Sequence, residues 1–282
     1  MKPVRLPVAR NFYSGNCRMQ MDDFLTGFRK PAAIPDRPLA AVVPHAGWLY
    51  SGRTAARTLA CLAGRVKPQT AIVLGADHSG VYRHTVYPEG AWQTPLGELA
   101  VDSDLALLIC DNLPELLLAD PDVHAGEHSI EVLTPMLKYF WPELKFVPIT
   151  VKVAADSLDL GQRIGDLVNQ RDDIIVLASS DLTHYGRGYD LAPAGSGAAG
   201  LEWLIANDRR MIDTICGGAA ASVLPEARRQ RNACGAGAIT TLMGLADRFG
   251  RDKGYLIEHT TSHGDRPPER FDYGVGYAGI IF

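Results

Sequence analysis

Three histidines in this chain stand in the same kind of place. Leu39 to Val43 is a short apolar, partly β-branched run that reads as a buried strand. Pro44 should end it, because proline cannot donate to a ladder, and His45 follows at once. Thr70 to Leu74 runs into Gly75-Ala76-Asp77-His78, and Ile174 to Ala178 runs into Ser179-Ser180-Asp181-Leu182-Thr183-His184. Ligands of α/β sheets bind beyond the carboxyl ends of strands. Imidazole is the commonest side-chain metal ligand and the acid–base group of neutral pH. Three of them at strand ends point to metal or proton-transfer chemistry.

Other groups add to this. Asp122 to Phe140 reads as one helix carrying His124 and His128 at i, i+4, with Glu127 and Glu131 likewise on a shared face. A solvated helix face accounts for Glu127, Glu131 and His124 about as well as a site does. Cys234 precedes an apolar helix that opens at Gly235, and a helix N-terminus favours the nucleophilic, metal-binding thiolate. Cys61, Cys110 and Cys216 lie in apolar helical runs and read as small buried residues. Asp181 and His184 fall within one turn, so the carboxylate is in reach of the ring. Ser179 and Ser180 read as caps for whatever follows. His84, His259 and His263 are less persuasive. No Walker lysine and no GxGxxG follows a strand, which argues against nucleotide binding.

The elements that must hold these groups alternate. Helices are expected over Met19–Phe28, Thr54–Leu62, Asp104–Cys110, Asp156–Asn169 and Leu201–Ile215. Lys145 to Val153 reads as a strand that Pro148 places at an edge or a bend. Tyr82 to Leu99 reads as a hairpin or long loop able to cover a site. Glu226 to Asn232 is only polar and rich in arginine, and Gly254–His259 and Tyr273–Phe282 are closing strands. Strand and helix in alternation predict an α/β fold: one domain over 1–282, with a central mixed or mostly parallel sheet flanked by helices.

Composition narrows the classes. With 46% hydrophobic and 21% charged residues over 282 positions, the chain can build a large core without staples. A net charge of −4 and the absence of a basic stripe speak against nucleic acid. No apolar run approaches the ~20 residues that span a bilayer. Five cysteines, without a CxxC, do not make a disulfide framework. Met1 to Arg10 lacks an apolar signal core. A cytoplasmic protein with free thiols is expected.

Taken together, the motifs resemble the Memo family, known in bacteria and archaea as AmmeMemoRadiSam system protein B. The resemblance covers nearly the whole chain. It rests on Val8-Ala9-Arg10-Asn11-Phe12-Tyr13, Pro44-His45-Ala46-Gly47, Gly75-Ala76-Asp77-His78 and Glu127-His128-Ser129-Ile130-Glu131. It continues in Ser179 to Gly186, Cys234-Gly235 and Gly276-Tyr277, in that order. Arg10-Asn11 stands where the family often has glycine and a small residue. Thr261-Ser262-His263-Gly264-Asp265 carries an extra histidine. The family is similar in fold to class III extradiol ring-cleavage dioxygenases, which hold iron(II) with two histidines and a carboxylate.

The resemblance implies a metal pocket of His45, His78 and Cys234. His184 would take the place of the dioxygenases' acid–base histidine, with Asp181 beside it, and His128 would join them as a catalytic group. Cysteine in place of the carboxylate softens the site toward iron(II), zinc or copper(I). Iron(II) is the expected metal, with copper and zinc as the other candidates. The function so implied is metal-dependent redox or dioxygenase-like chemistry on an unidentified small substrate. Two alternatives stand beside it: a non-catalytic module gripping a peptide or partner in the same pocket, and a zinc-dependent hydrolase. The sequence leaves homo-oligomeric assembly open.

Overall fold

Every residue of Ala40–Val43, Thr70–Ala76 and Ile174–Ser179 is buried. Strands that are apolar on both sides must have both sheet faces covered, as parallel strands in α/β proteins do. The computed structural model describes residues 3–264 and 271–282. Its strands are, in chain order, β1 (Val4–Arg5), β2 (Ala40–Val43), β3 (Thr70–Ala76), β4 (His84–Val86), β5 (Ala91–Thr94) and β6 (Gly97–Val101). They continue with β7 (Leu117–Ala119), β8 (Lys145–Val151), β9 (Ile174–Ser179), β10 (His184–Gly186), β11 (Tyr255–Thr261) and β12 (Tyr273–Ile281). One twelve-stranded sheet runs in the order β1-β5-β6-β8-β3-β9-β2-β12-β10, with β11 on β12 and β4 on β8 and β7. The central run β6-β8-β3-β9-β2 is parallel, and the closing strands join antiparallel. This is the α/β architecture with a mixed sheet that the alternation predicts. Parallel pairing sends β2, β3 and β9 to the same edge, so His45, His78 and Ser179 emerge together.

Helices flank the sheet. The helices are α1 (Cys17–Leu25), α2 (Arg53–Ala63), α3 (Ser103–Asn112), α4 (Pro121–His124), α5 (Thr134–Phe140), α6 (Ser157–Val168), α7 (Ala198–Cys216), α8 (Ala220–Gln230) and α9 (Ala236–Asp247). One layer joins α6, α8 and α9, with α9 on β3 and β9; another joins α1, α2 and α5, with α2 on β2 and β12. α9 carries almost no polar surface and is buried along nearly its whole length.

Several expectations are corrected. Residues 122–140 are not one helix: α4 stops at His124, residues 125–130 are irregular, a 3-10 turn spans Glu131–Leu133, and α5 begins at Thr134. Pro135 sits in the first turn of α5, where its missing N–H costs nothing, and it would have broken a longer helix. His124 and His128 therefore share no helix face. Pro148 does not mark an edge strand, since β8 is paired on both sides. Its carbonyl accepts from Tyr87 N, so its missing N–H faces the place where β8 changes neighbours from β6 to β4. The Tyr82–Leu99 stretch forms β4 and the β5–β6 hairpin, which widen the sheet instead of covering a site. The polar stretch from Glu226 belongs to α8, where Arg210 and Arg229 neutralise Glu226. Asp265 of the C-terminal motif lies outside the described residues.

Candidate metal centre

Each side chain in the pocket arrives from a different element. His45 follows β2, and Asp181 fixes its loop: Oδ1 accepts from His45 N at 2.8 Å and Ala46 N at 3.2 Å. His78 follows β3, and Glu127 fixes it: Oε2 accepts from His78 N at 2.9 Å, and Oε1 lies 3.0 Å from His78 Nδ1. Cys234 lies just ahead of α9, hard against the end of β9. A Cβ at Gly235 would come within 2.3 Å of Ser179 O, so only glycine lets this turn approach.

The hydrogen bonds decide which ring nitrogens are free. Ser179 Oγ donates to Ser129 O at 2.7 Å, a carbonyl that can only accept. Ser179 Oγ must then accept from His45 Nδ1, 2.8 Å away. His45 Nε2 is left with its lone pair, 3.4 Å from Cys234 Sγ. Glu127 likewise takes Nδ1–H of His78 and frees its Nε2. Ligand atoms of His45, His78 and Cys234 all lie within 4.8 Å of one another. Tetrahedral bonds of about 2.0 Å to nitrogen and 2.3 Å to sulfur set ligand atoms roughly 3.5 Å apart. The donor set and its spacing thus fit a transition metal, with the outer nitrogen of each histidine held as metal sites require. A second set, His78, Glu127 and His128, also falls within 4.8 Å. In it Glu127 would be a ligand and no longer the partner that orients His78, so the first set is the better holder.

Burial and charge tune these groups apart. Burial drives His45 down to about 4, so it is neutral at pH 7. The hydrogen bond to Glu127 raises His78. Burial works against the Glu127 charge, but bonds from the His78 ring and from Ser129 N and His78 N hold its carboxyl well below the usual range. Burial, then the Asp181 charge, pushes the Cys234 thiol up, although Asp181 N donates to the sulfur at 3.3 Å. The thiolate expected from the helix N-terminus is therefore a thiol in the metal-free protein. Two acceptors stand near it, His45 Nε2 at 3.4 Å and Asp181 O at 3.6 Å.

His128 stands in the same pocket, its ring stacked on His78 at 4.6 Å and edge-on to His45 at 5.6 Å. Phe12 packs on its other side at 4.9 Å. Burial, then the neighbouring His78, lowers its pKa. Asp181 faces the backbone of His45, with Oδ2 4.0 Å from His45 Nε2, and makes no bond to the His184 ring. His184 sits on β10, its Nδ1 3.2 Å from Leu182 O and its ring against Tyr189. Among the described residues no hydrogen bond or ring contact joins it to His45, His78, His128 or Cys234. His124 is buried between Tyr87 and Trp92, away from the pocket.

Glu127, which the sequence leaves open, and Ser179, which it reads as a cap, prove central to the geometry. Glu127 is buried on His78 and is no solvated helix face. Ser179 orients His45 and caps nothing, because an extended segment follows it. Their signal lay in adjacency to candidate ligands: Glu127 precedes His128, and Ser179 ends the strand beside β2. Cys61, Cys110 and Cys216 do lie in helices α2, α3 and α7, with burial raising each thiol.

A family model described as Memo-like protein matches residues 5–281. The chain belongs to the Memo family. A MEMO1 family protein of Thermococcus onnurineus is 34% identical over 99% of both chains. One from Desulfurococcus amylolyticus is 36% identical over 90% of this chain and 87% of its own. An uncharacterized Escherichia coli K12 protein of known structure is similar in fold, with a TM-score of 0.58 at 12% identity, covering 87% of this chain and all of its own. Among the described residues no helix is long and apolar enough to cross a membrane.

Proposed function

We propose that this Memo family protein binds a transition metal, iron(II) first, through His45 Nε2, His78 Nε2 and Cys234 Sγ, and carries out redox or dioxygenase-like chemistry on a small substrate. One observation carries the reading: three ligand atoms from three elements converge, and Ser179 and Glu127 hold both imidazoles with their free nitrogens inward. A bound metal would supply Lewis-acid or electron-transfer chemistry. The chain supplies the rest. Glu127 and Ser179 fix the rings, Asp181 holds the His45 loop, and Phe12 shields one side of His128. His128, lowered by burial and stacked on His78, would take a proton from a bound substrate. His184, packed against Tyr189, stands outside this group. A reducing, cytoplasmic setting goes with five unpaired cysteines.

The test is anaerobic titration of the purified chain with iron(II), copper(I) and zinc, alongside His45→Ala and Cys234→Ser. Tight binding lost in both variants is expected. Tight zinc with weak iron and copper would move the reading to a zinc hydrolase, and no metal binding at all would leave a peptide-binding module.

A further inference from the structure

We propose that Arg5 and Glu131 are positioning residues for this pocket: their buried ion pair ties the N-terminal arm to the turn that carries Glu127 and His128. The consequence for metal binding rests on the function proposed above; the geometry stands on its own. Arg5, on β1, is only 7% exposed. Its guanidinium spends all three nitrogens on one segment. Nε donates to His124 O at 2.7 Å, Nη1 to Glu131 Oε2 at 2.7 Å, and Nη2 to Glu127 O at 2.9 Å. Trp92 covers its face at 4.1 Å. Glu131 is 1% exposed and is filled from the arm. Beyond Arg5 it accepts from Val8 N at 3.0 Å, Ala9 N at 2.8 Å and the Tyr13 hydroxyl at 2.8 Å. Breaking such a pair strands a buried charge.

Residues 125–130 have neither helix nor strand to fix them. Arg5 grips the carbonyls at both ends of the His124–Glu127 turn, and so sets where the Glu127 carboxylate meets His78. A pair that merely anchored the arm would need only the bond to Glu131. Two of the three guanidinium bonds go instead to the turn's own backbone. Lysine offers one compact ammonium and cannot fan out to three acceptors in a plane.

The experiment uses the full chain with Arg5→Leu, Arg5→Lys and Leu105→Ala. The last truncates a buried residue of α3 and controls for lost stability. Hydrogen exchange is read in metal-free protein at the amides of His78 and Ser129, both donors to Glu127. Cobalt(II) affinity and absorption spectrum are read on the same samples. Arg5→Leu should speed exchange at both amides at least about tenfold and weaken cobalt about 10–100-fold, the usual effect of losing support behind a ligand. Arg5→Lys should change both in the same direction, and it carries the test if Arg5→Leu does not fold. Leu105→Ala should change neither. Unaltered amides in the Arg5 variants, or equal acceleration in Leu105→Ala, overturns the proposal. Faster exchange with unchanged cobalt affinity overturns the link to the pocket. Cobalt that fails to bind the wild type sinks the metal reading instead, and the exchange arm still decides whether Arg5 holds Glu127.

Discussion

In the metal-free protein the Cys234 sulfur, 3.4 Å from His45 Nε2, carries a proton where a metal would bind. Binding must expel it, because burial keeps the free thiol protonated across the neutral range. Apparent metal affinity should therefore rise at least about tenfold per pH unit near neutrality: the thiol proton leaves with each metal bound, and His78, raised by Glu127, adds to the slope. Cys234→Ser should lower that slope by about one proton and weaken iron(II) or zinc by at least about 10²-fold, since a hydroxyl neither ionises there nor supplies softness. Competition titrations at pH 6.5, 7.0 and 7.5 measure both, and a slope that Cys234→Ser leaves intact would exclude the sulfur as ligand. Ser179→Ala removes the acceptor for His45 Nδ1–H and frees the ring to change tautomer. Its expected cost is about 10–100-fold in metal affinity, with the binding stoichiometry preserved. Wild-type affinity in this variant would show that packing alone orients His45.

At the scale of elements, the pocket depends on how closely the turn before α9 lies on β9. Gly235→Ala would set a methyl carbon 2.3 Å from Ser179 O and within 2.8 Å of the Ser180 side chain. The turn must back away and take Cys234 with it. The expected loss is about 2 kcal/mol of stability, as for other overpacked sites, together with weaker metal binding. Urea denaturation and cobalt titration read the two effects separately. Normal stability with normal binding would mean the turn has slack that the structure does not contain. The 122–140 segment makes the complementary point. Its local pattern favours a helix, yet Glu127 and Glu131 are pulled to opposite partners, His78 and Arg5, and the helix gives way between them.

For the whole molecule, the buried histidines make stability depend on acid. His45 and His124 are both lowered to about 4 by burial. Their folded pKa values lie below the unfolded value near 6.5, so the unfolded chain binds protons first as pH falls. The stability they contribute is present above pH 6.5 and is lost as pH falls toward 4. The slope reaches about 1.4 kcal/mol per pH unit for each histidine. His78 is raised, and its pair with Glu127 works the other way, losing stability as pH rises through its folded pKa. Urea midpoints of metal-free protein at pH 7, 6 and 5 should fall, and His124→Gln should remove about one proton from the slope without touching the pocket. An equal slope in that variant would assign the acid sensitivity to other groups.

Sequence alone determined the period and order of the elements. The runs before His45, His78 and His184 are continuous and apolar, long enough for strands and too short for helices, and helices alternate with them. That pattern dictates a parallel sheet, and a parallel sheet puts strand ends on one edge. The ordered motifs from Val8 to Tyr277 made the family legible as well. Tertiary structure alone decided which histidines meet. His45, His78 and His128 share a pocket, whereas His124 and His184 carry equally suggestive neighbours and stand apart. Ring orientation was invisible too, since it follows from bonds between residues about 50 positions apart, Glu127 with His78 and Ser179 with Ser129. The 122–140 helix failed partly for a local reason, Pro135, which the sequence displays, and partly because local propensity is worth tenths of a kcal/mol per residue and buried charges seeking partners outweigh it. The pull of burial on the metal-free Cys234 thiol was invisible as well, because a helix terminus is local, whereas desolvation is a property of everything packed around the sulfur.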